Sequence, residues 1–136
     1  MNKKKSLGIV ATVFVSGIIV LVAMFVLVGP LLSHSDAQQV SCKKTGVTHI
    51  ATVKDGKIDP KDTQAKLCDN LTIVNDDNKD RLMAFGKHEK HIKYGGVTEE
   101  LLKPGQSLTV PLNQRGTYLF HDHYDEDVSG DFTVTE

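Results

Sequence analysis

Four histidines lie in two closely spaced pairs in the second half of the chain, which has 136 residues. One pair, His88 and His91, has His-x-x-His spacing, and the other, His121 and His123, has His-x-His spacing. Alternate residues of a strand point to the same face, so the second pair can address one atom. Residues three apart converge where the chain makes a helical turn, and Gly86 permits a bend there. The two pairs therefore predict one metal site built from four imidazoles.

The expected ion is copper, with zinc as the alternative. Neutral imidazole binds copper, zinc, iron and nickel, and the usual affinity order favours Cu(II) in an oxidising compartment. Asp122, between His121 and His123, has two candidate roles. It can fix the tautomer of a ligand imidazole by a hydrogen bond, or it can take part in an ion pair on the other face of the strand. Strand parity favours the ion pair, because Asp122 faces away from its two neighbours.

The histidines also have an interpretation without metal, in which they form only hydrogen bonds at the rim of the fold. The alternative function is then a metal-free structural or protein-interaction module. Catalysis is not expected, because Ser107 and Ser129 lack a nucleophile motif and the glycines form no phosphate-binding loop. The acidic pair Glu99 and Glu100 is expected to be solvated surface.

The N-terminal segment predicts a membrane anchor. Three lysines, Lys3, Lys4 and Lys5, precede the uncharged apolar run of residues 6–33. This run is long enough to span a bilayer and longer than the apolar part of most signal peptides. The lysines place the N-terminus in the cytoplasm. We therefore expect a retained single-pass anchor in residues 1–33, a stalk in residues 34–46 and an extracytoplasmic domain in residues 47–136. Cleavage after Ala37, which would release a secreted protein, is the alternative.

The charge balance excludes nucleic acid as a partner. The chain has 17 acidic residues against 16 Lys and Arg residues, and acidic side chains crowd residues 122–131. A phosphate-binding surface needs a basic patch instead. The expected partners are a metal ion, the membrane through residues 6–33, and a redox or copper-handling protein.

Cys42 and Cys68 are the only two cysteines in the chain. Outside the cytoplasm such a pair predicts a structural disulfide. Closing a loop of this length stabilises a small domain by about 3 kcal/mol. Neither sulfur is then free to bind metal.

Short apolar runs separated by turn residues predict an all-β domain from residue 47 onward. Strands are expected over residues 47–53, 71–75, 81–85, 107–112, 116–123 and 130–135, with a long loop at residues 86–106. About seven strands result. Their alternation, without an amphipathic helix, predicts two packed antiparallel sheets.

Several turn and strand motifs follow one another in this region. They are Asn75-Asp76-Asp77 at the end of a strand, Pro104-Gly105, Gly116-Thr117-Tyr118 and Gly130-Asp131-Phe132. Their order and spacing resemble those of cupredoxins, the blue-copper fold family. The resemblance implies a Greek-key β-sandwich over residues 47–136, after one N-terminal transmembrane helix.

The resemblance fails at the family's copper site, which uses two histidines, a cysteine and a weak axial methionine. The first histidine and cysteine positions carry Arg81 and Asp122, and the other two fall near Asp125 and Val128. A blue-copper site cannot form without the thiolate. An ion pair between Arg81 and Asp122 is expected to close the position.

The His-x-His at the end of a Gly-x-Tyr strand also resembles the copper-binding motifs of multicopper oxidases. With the His-x-x-His segment, it resembles a variant group of cupredoxin-like domains that lack the cysteine. This resemblance implies copper carriage or electron transfer through a non-blue site of His88, His91, His121 and His123.

Overall fold

The computed structural model describes residues 39–136, and its ten regular elements are all β-strands. In this range no helix is long and apolar enough to cross a membrane. The predicted anchor at residues 6–33 and the cleavage point after Ala37 lie outside the described residues. The strands are β1 (Thr48–Lys54), β2 (Lys57–Asp59), β3 (Asp62–Lys66), β4 (Asn70–Asn75), β5 (Arg81–Lys87), β6 (Lys90–His91), β7 (Glu99–Leu102), β8 (Ser107–Pro111), β9 (Gly116–Asp122) and β10 (Asp125–Thr135).

The strands form two sheets of a sandwich. One sheet has four strands in the order β2-β1-β4-β8. The other has the order β3-β10-β9-β5-β6, and β7 pairs with β5 beside β6. The all-β sandwich predicted from the apolar alternation is therefore confirmed.

The prediction of purely antiparallel sheets is wrong, because each sheet contains one parallel pair. Strand β1 runs parallel to β4, and β10 runs parallel to β3. Parallel neighbours need a long connection between them. Between β1 and β4 that connection contains β2, which stays beside β1, and β3, which lies in the other sheet. Between β3 and β10 it contains β4 to β9.

The strand count is also higher than the expected seven, because β2 and β3 lie between the first two predicted strands and the region predicted as a loop contains β6 and β7. Strand β6 has two residues, and three of the four residues of β7 are exposed. Neither strand shows the alternation that marks a half-buried strand. Strand β10 likewise begins at Asp125, inside the acidic run, and a β-bulge lies between Asp125 and Ser129.

The core lies between the two sheets and comes from the predicted alternation. In β4 every second residue is buried, including Leu71 and Ile73. Phe120 and Phe132 meet them from the second sheet, and both are fully buried. Because one face of β9 is fixed in this core, the opposite face carries His121 outward.

The disulfide between Cys42 and Cys68 is present, as predicted, and joins residues 26 positions apart. It ties the segment before β1 to the turn between β3 and β4. The backbone nitrogen of Cys68 also donates a hydrogen bond to the carbonyl of Leu112.

Candidate metal centre

Two β-hairpin tips bring the four histidines together. In the β5–β6 hairpin, Lys87 pairs with Lys90, so His88 is the first residue of a two-residue loop. In the β9–β10 hairpin, Asp122 pairs with Asp125, so His123 holds the same place. The rings of His88 and His123 stack with their centroids 4.5 Å apart. We call His88, His91, His121 and His123 the histidine cluster.

The convergence of His88 and His91 does not require the expected helical turn, because the hairpin itself brings them together. His91 pairs with Gly86 across the hairpin, and His121 of β9 pairs with Ala84 of β5. Paired residues share a face of the sheet. Because Gly86 and Ala84 are small, they leave room above β5 for the two imidazole rings. The ring centroids of His91 and His121 are 5.3 Å apart.

Gly86 is required at its position for two reasons. Its φ of 93° lies in the left-handed region that favours glycine. A Cβ there would also lie 2.7 Å from the carbonyl oxygen of Lys90. Gly86 therefore permits the tight hairpin that places His88 and His91.

His121 is more buried than its outward-facing strand position suggests. Its face of β9 is covered by the β5–β6 hairpin, and the residue is only 2% exposed. The Nδ1 atom lies 3.0 Å from the carbonyl oxygen of Gly86. A carbonyl only accepts, so Nδ1 carries the proton and Nε2 has the lone pair. That Nε2 is buried and has no hydrogen-bond partner among residues 39–136.

Burial also keeps His121 neutral. It lowers the pKa of His121 below its ordinary value, and the other three histidines of the cluster lower it further. The hydrogen bond to Gly86 opposes this effect without reversing it. A neutral imidazole is the form that binds metal.

His88 and His91 each direct one ring nitrogen toward a carboxylate. His88 Nε2 lies 3.3 Å from a carboxylate oxygen of Glu126, and His91 Nδ1 lies 3.4 Å from one of Glu99. Carboxylates only accept hydrogen bonds, so each favours a proton on the facing nitrogen and a lone pair on the opposite one. The opposite nitrogen of His88 is buried and unpartnered within the described range. The opposite nitrogen of His91, Nε2, lies 3.2 Å from His123 Nδ1.

The donor atoms form two overlapping groups that share His123. The inner group is His88, His121 and His123, and the outer group is His91, Glu99 and His123. In each group the donor atoms lie within 4.8 Å of one another. Two imidazole nitrogens on one ion are at most about 4.2 Å apart. Either group therefore fits copper or zinc after a small closing movement.

The sequence placed the four histidines and the bend at Gly86 but missed Glu99 and Glu126 as their neighbours. Glu99, expected to be plain surface, faces His91 from β7. Carboxylates at these positions carry no sequence signal, because only the pairing of β7 with β5 brings Glu99 to the cluster.

Arg81 and Asp122 occupy the interior side of the same strands. Arg81 is 1% exposed, and its Nη1 donates to Asp122 across 2.8 Å. Its Nε donates to Asp77 across 3.0 Å, and Nη2 also bonds Asp77. Burial lowers the pKa of Arg81, but the bonds to Asp122 and Asp77 outweigh burial and raise it overall. Arg81 is therefore a charged and fully paired buried cation.

Asp122 interacts with Arg81 and with the backbone, not with a histidine. Its other oxygen accepts from the backbone nitrogens of Leu82 and Tyr124, at 3.0 and 3.1 Å. Asp122 had two candidate roles, a hydrogen bond to a ligand imidazole and an ion pair. The structure shows the geometry of the ion pair. The bond to Tyr124 also holds the turn on which His123 lies.

No protein-family model and no curated protein sequence matches the chain. Solved structures do match. An oxidised amicyanin mutant is 16% identical, with 71% of this chain and 86% of that chain covered and a TM-score of 0.54. A purple cupredoxin from Nitrosopumilus maritimus is 16% identical, with 63% and 98% covered and a TM-score of 0.56. These matches show that the described domain has the cupredoxin fold.

Proposed function

We propose that this cupredoxin-fold domain binds one metal ion in the histidine cluster, with copper as the expected ion and zinc as the alternative. The buried, unpartnered Nε2 of His121 carries the proposal. A buried polar atom without a partner is costly, and a metal ion would satisfy it. Amicyanin and the purple cupredoxin add support through the fold, and one amicyanin neighbour was solved in its Cu(I) form.

The proposed role is copper carriage or one-electron transfer, without catalysis. Copper at the site would supply a change of oxidation state or a cargo for a partner protein. The residues of this chain hold His121 neutral, orient the imidazoles through Gly86, Glu99 and Glu126, and exclude water around His121. Because no thiolate is among the donors, a Cu(II) complex should show only weak visible absorption and no intense blue band.

The metal site is tested with the full-length, tag-free protein in detergent. Replacing His121 and His123 together by alanine is expected to abolish copper binding, because both donors are lost. His49→Ala is the matched control, since His49 bonds Asp69 at 2.8 Å, outside the cluster. The measurement is copper content by elemental analysis and affinity by competition with a chelator. Unchanged stoichiometry and affinity in the double variant would overturn the site.

Burial of His121 makes a second variant necessary. His121→Ala leaves a cavity under the β5–β6 hairpin, so loss of binding could reflect loss of structure. His123→Ala alone avoids this, because His123 lies on a turn and belongs to both donor groups. It is expected to lose binding while its thermal unfolding stays close to that of the parent.

We further propose that residues 6–33 anchor the domain outside the cytoplasm. The length of the apolar run and the preceding lysines support this. The full-length protein is expected to sediment with membranes and to resist carbonate extraction. A soluble form that begins near Gln38 would instead establish cleavage.

The second candidate function is the metal-free interaction module. The buried pair of Arg81 and Asp122 favours it, because it fills the blue-copper position with charges that are already paired. This function predicts that the protein, purified without chelators, contains no stoichiometric metal and binds none on titration with copper or zinc.

A further inference from the structure

The histidine cluster does not form a single group of four donors. Its two groups of three share His123, and the outer group includes the carboxylate of Glu99. His123 Nδ1 lies 3.2 Å from His91 Nε2, and the ring of His123 stacks on that of His88, so the shared residue contacts a donor of each group. A shared donor lets one ion move from one position to the other without leaving the protein.

The two positions differ in solvent access at one donor each, His121 and Glu99, whereas His88 of the inner group is 33% exposed and His91 of the outer group 17%. The inner group contains His121, which is 2% exposed and lies under the hairpin. The outer group contains Glu99, whose side chain is 48% exposed. An ion that arrives from solvent therefore reaches Glu99 before it reaches His121.

The two positions also differ in donor chemistry. The inner group offers three imidazoles, two of which have buried, unpartnered nitrogens. The outer group offers two imidazoles and a carboxylate. Carboxylate oxygen suits hydrated divalent ions, whereas imidazole suits copper of either oxidation state. A negative oxygen at the surface favours capture of a cation, and the buried imidazole nitrogens of His88 and His121 favour its retention.

We propose that the outer group, His91, Glu99 and His123, is the entry and exit position of the metal, and that the inner group, His88, His121 and His123, is its resting position. This inference rests on the proposed metal binding and adds a route for the ion. In the transfer, bonds to His91 and Glu99 break, bonds to His88 and His121 form, and His123 stays bound. No electron or proton is required, because the four incoming and outgoing side chains keep their protonation states.

The first test measures exchange rates of Cu(II) on the full-length, tag-free protein. Glu99→Gln keeps the shape of the side chain and removes its charge. It is expected to slow both loading and removal by a chelator about tenfold, with little change in equilibrium affinity. Glu100→Gln is the matched control, because neighbouring residues of β7 point to opposite faces. Equal rates for the two variants would overturn the entry position.

The second test removes the resting position. His88 lies at a hairpin tip, so His88→Ala is expected to fold, which thermal unfolding checks. In this variant Cu(II) should remain at the outer group, and paramagnetic resonance should show oxygen replacing nitrogen among its donors. Adding Glu99→Gln should then lower the affinity about 100-fold, although the same change has little effect on the parent. Equal losses in both backgrounds would show a single position that includes Glu99.

The number of copper ions bound per chain distinguishes a failure of this inference from a failure of the proposed function. One ion per chain is expected even in excess copper, because His123 serves both positions. Two ions bound together would overturn the transfer and indicate a dinuclear site. Failure of the parent protein to bind any copper or zinc would overturn the proposed function itself. Copper binding that depends on His123, with loading and removal rates that do not depend on Glu99, would overturn the entry position alone.

Discussion

The paired strands β5 and β9 carry two polar clusters on their opposite faces. On the interior face, Arg81 is surrounded by carboxylates, with Asp122 at 2.8 Å and Asp125 at 3.6 Å. On the outer face, His121 lies under a hairpin beside three other imidazoles. The central residue of each cluster, Arg81 or His121, is buried. One cluster has its charges paired, whereas the other has two buried ring nitrogens without partners in the described range.

Under the proposed function, this difference gives the two faces different expected capacities for metal. A buried charge needs a partner, and once Arg81 has its carboxylates, no donor there is left for an ion. Buried imidazoles can remain neutral, so their lone pairs stay open to a cation. The cupredoxin fold is thus compatible with a closed interior site and an open site on the other face of the same strands.

The largest effect on stability is expected from breaking the buried ion pair between Arg81 and Asp122. Asp122→Ala leaves Arg81 short of a partner and strands the backbone nitrogens of Leu82 and Tyr124. The free energy of unfolding should fall by about 3–5 kcal/mol. Asp127→Ala, at an exposed position of β10, should change it by no more than about 0.5 kcal/mol. Urea unfolding measures both, and similar values for the two variants would refute the buried ion pair as a stabilising contact.

A smaller effect is expected from opening the hairpin of the histidine cluster. Gly86→Ala should lower the free energy of unfolding by about 2 kcal/mol, through left-handed strain and the contact with Lys90. Gly96→Ala is the matched control, since its φ is 92° but no atom lies within 4 Å of the added Cβ. Only Gly86→Ala should also weaken copper binding. If both variants bind copper equally well, the hairpin does not position the donors.

The smallest effect concerns pH in the metal-free protein. Because burial lowers the pKa of His121, the unfolded chain binds its proton at higher pH than the folded chain does. The stability contribution of neutral His121 is therefore complete above about pH 6.5 and decreases as the pH falls below that value. Urea unfolding at about pH 7.5 and about pH 5.5 measures the decrease. His121→Gln should show a smaller decrease, and an equal one would assign the effect to other groups.

Copper affinity should also depend on pH, because protons compete with the ion for each imidazole. Copper affinity is expected to fall as the pH drops through about 6.5. A competition titration across this range checks it. Affinity that is independent of pH would exclude imidazole donors.

Much of the fold could be predicted from local patterns. The alternation of Leu71 and Ile73 predicted β4 and its buried face, and the two cysteines predicted the disulfide. The pairings of β6 and β7 could not be predicted, because short polar strands have no alternation and form only against the edge of β5. The parallel pairs were missed for a related reason: the order of strands in a sheet depends on which sheet β3 joins.

The sequence by itself determined the four imidazole donors of the candidate site and the face of β9 that presents His121, since spacing and strand parity are local properties. Only the tertiary structure decided that the two histidine pairs meet. His121 and Gly86 are 35 residues apart in sequence, and the pairing of β5 with β9 joins them. Burial of His121 and the approach of Glu99 follow from that pairing, because both depend on chain segments that come together only in the folded sandwich.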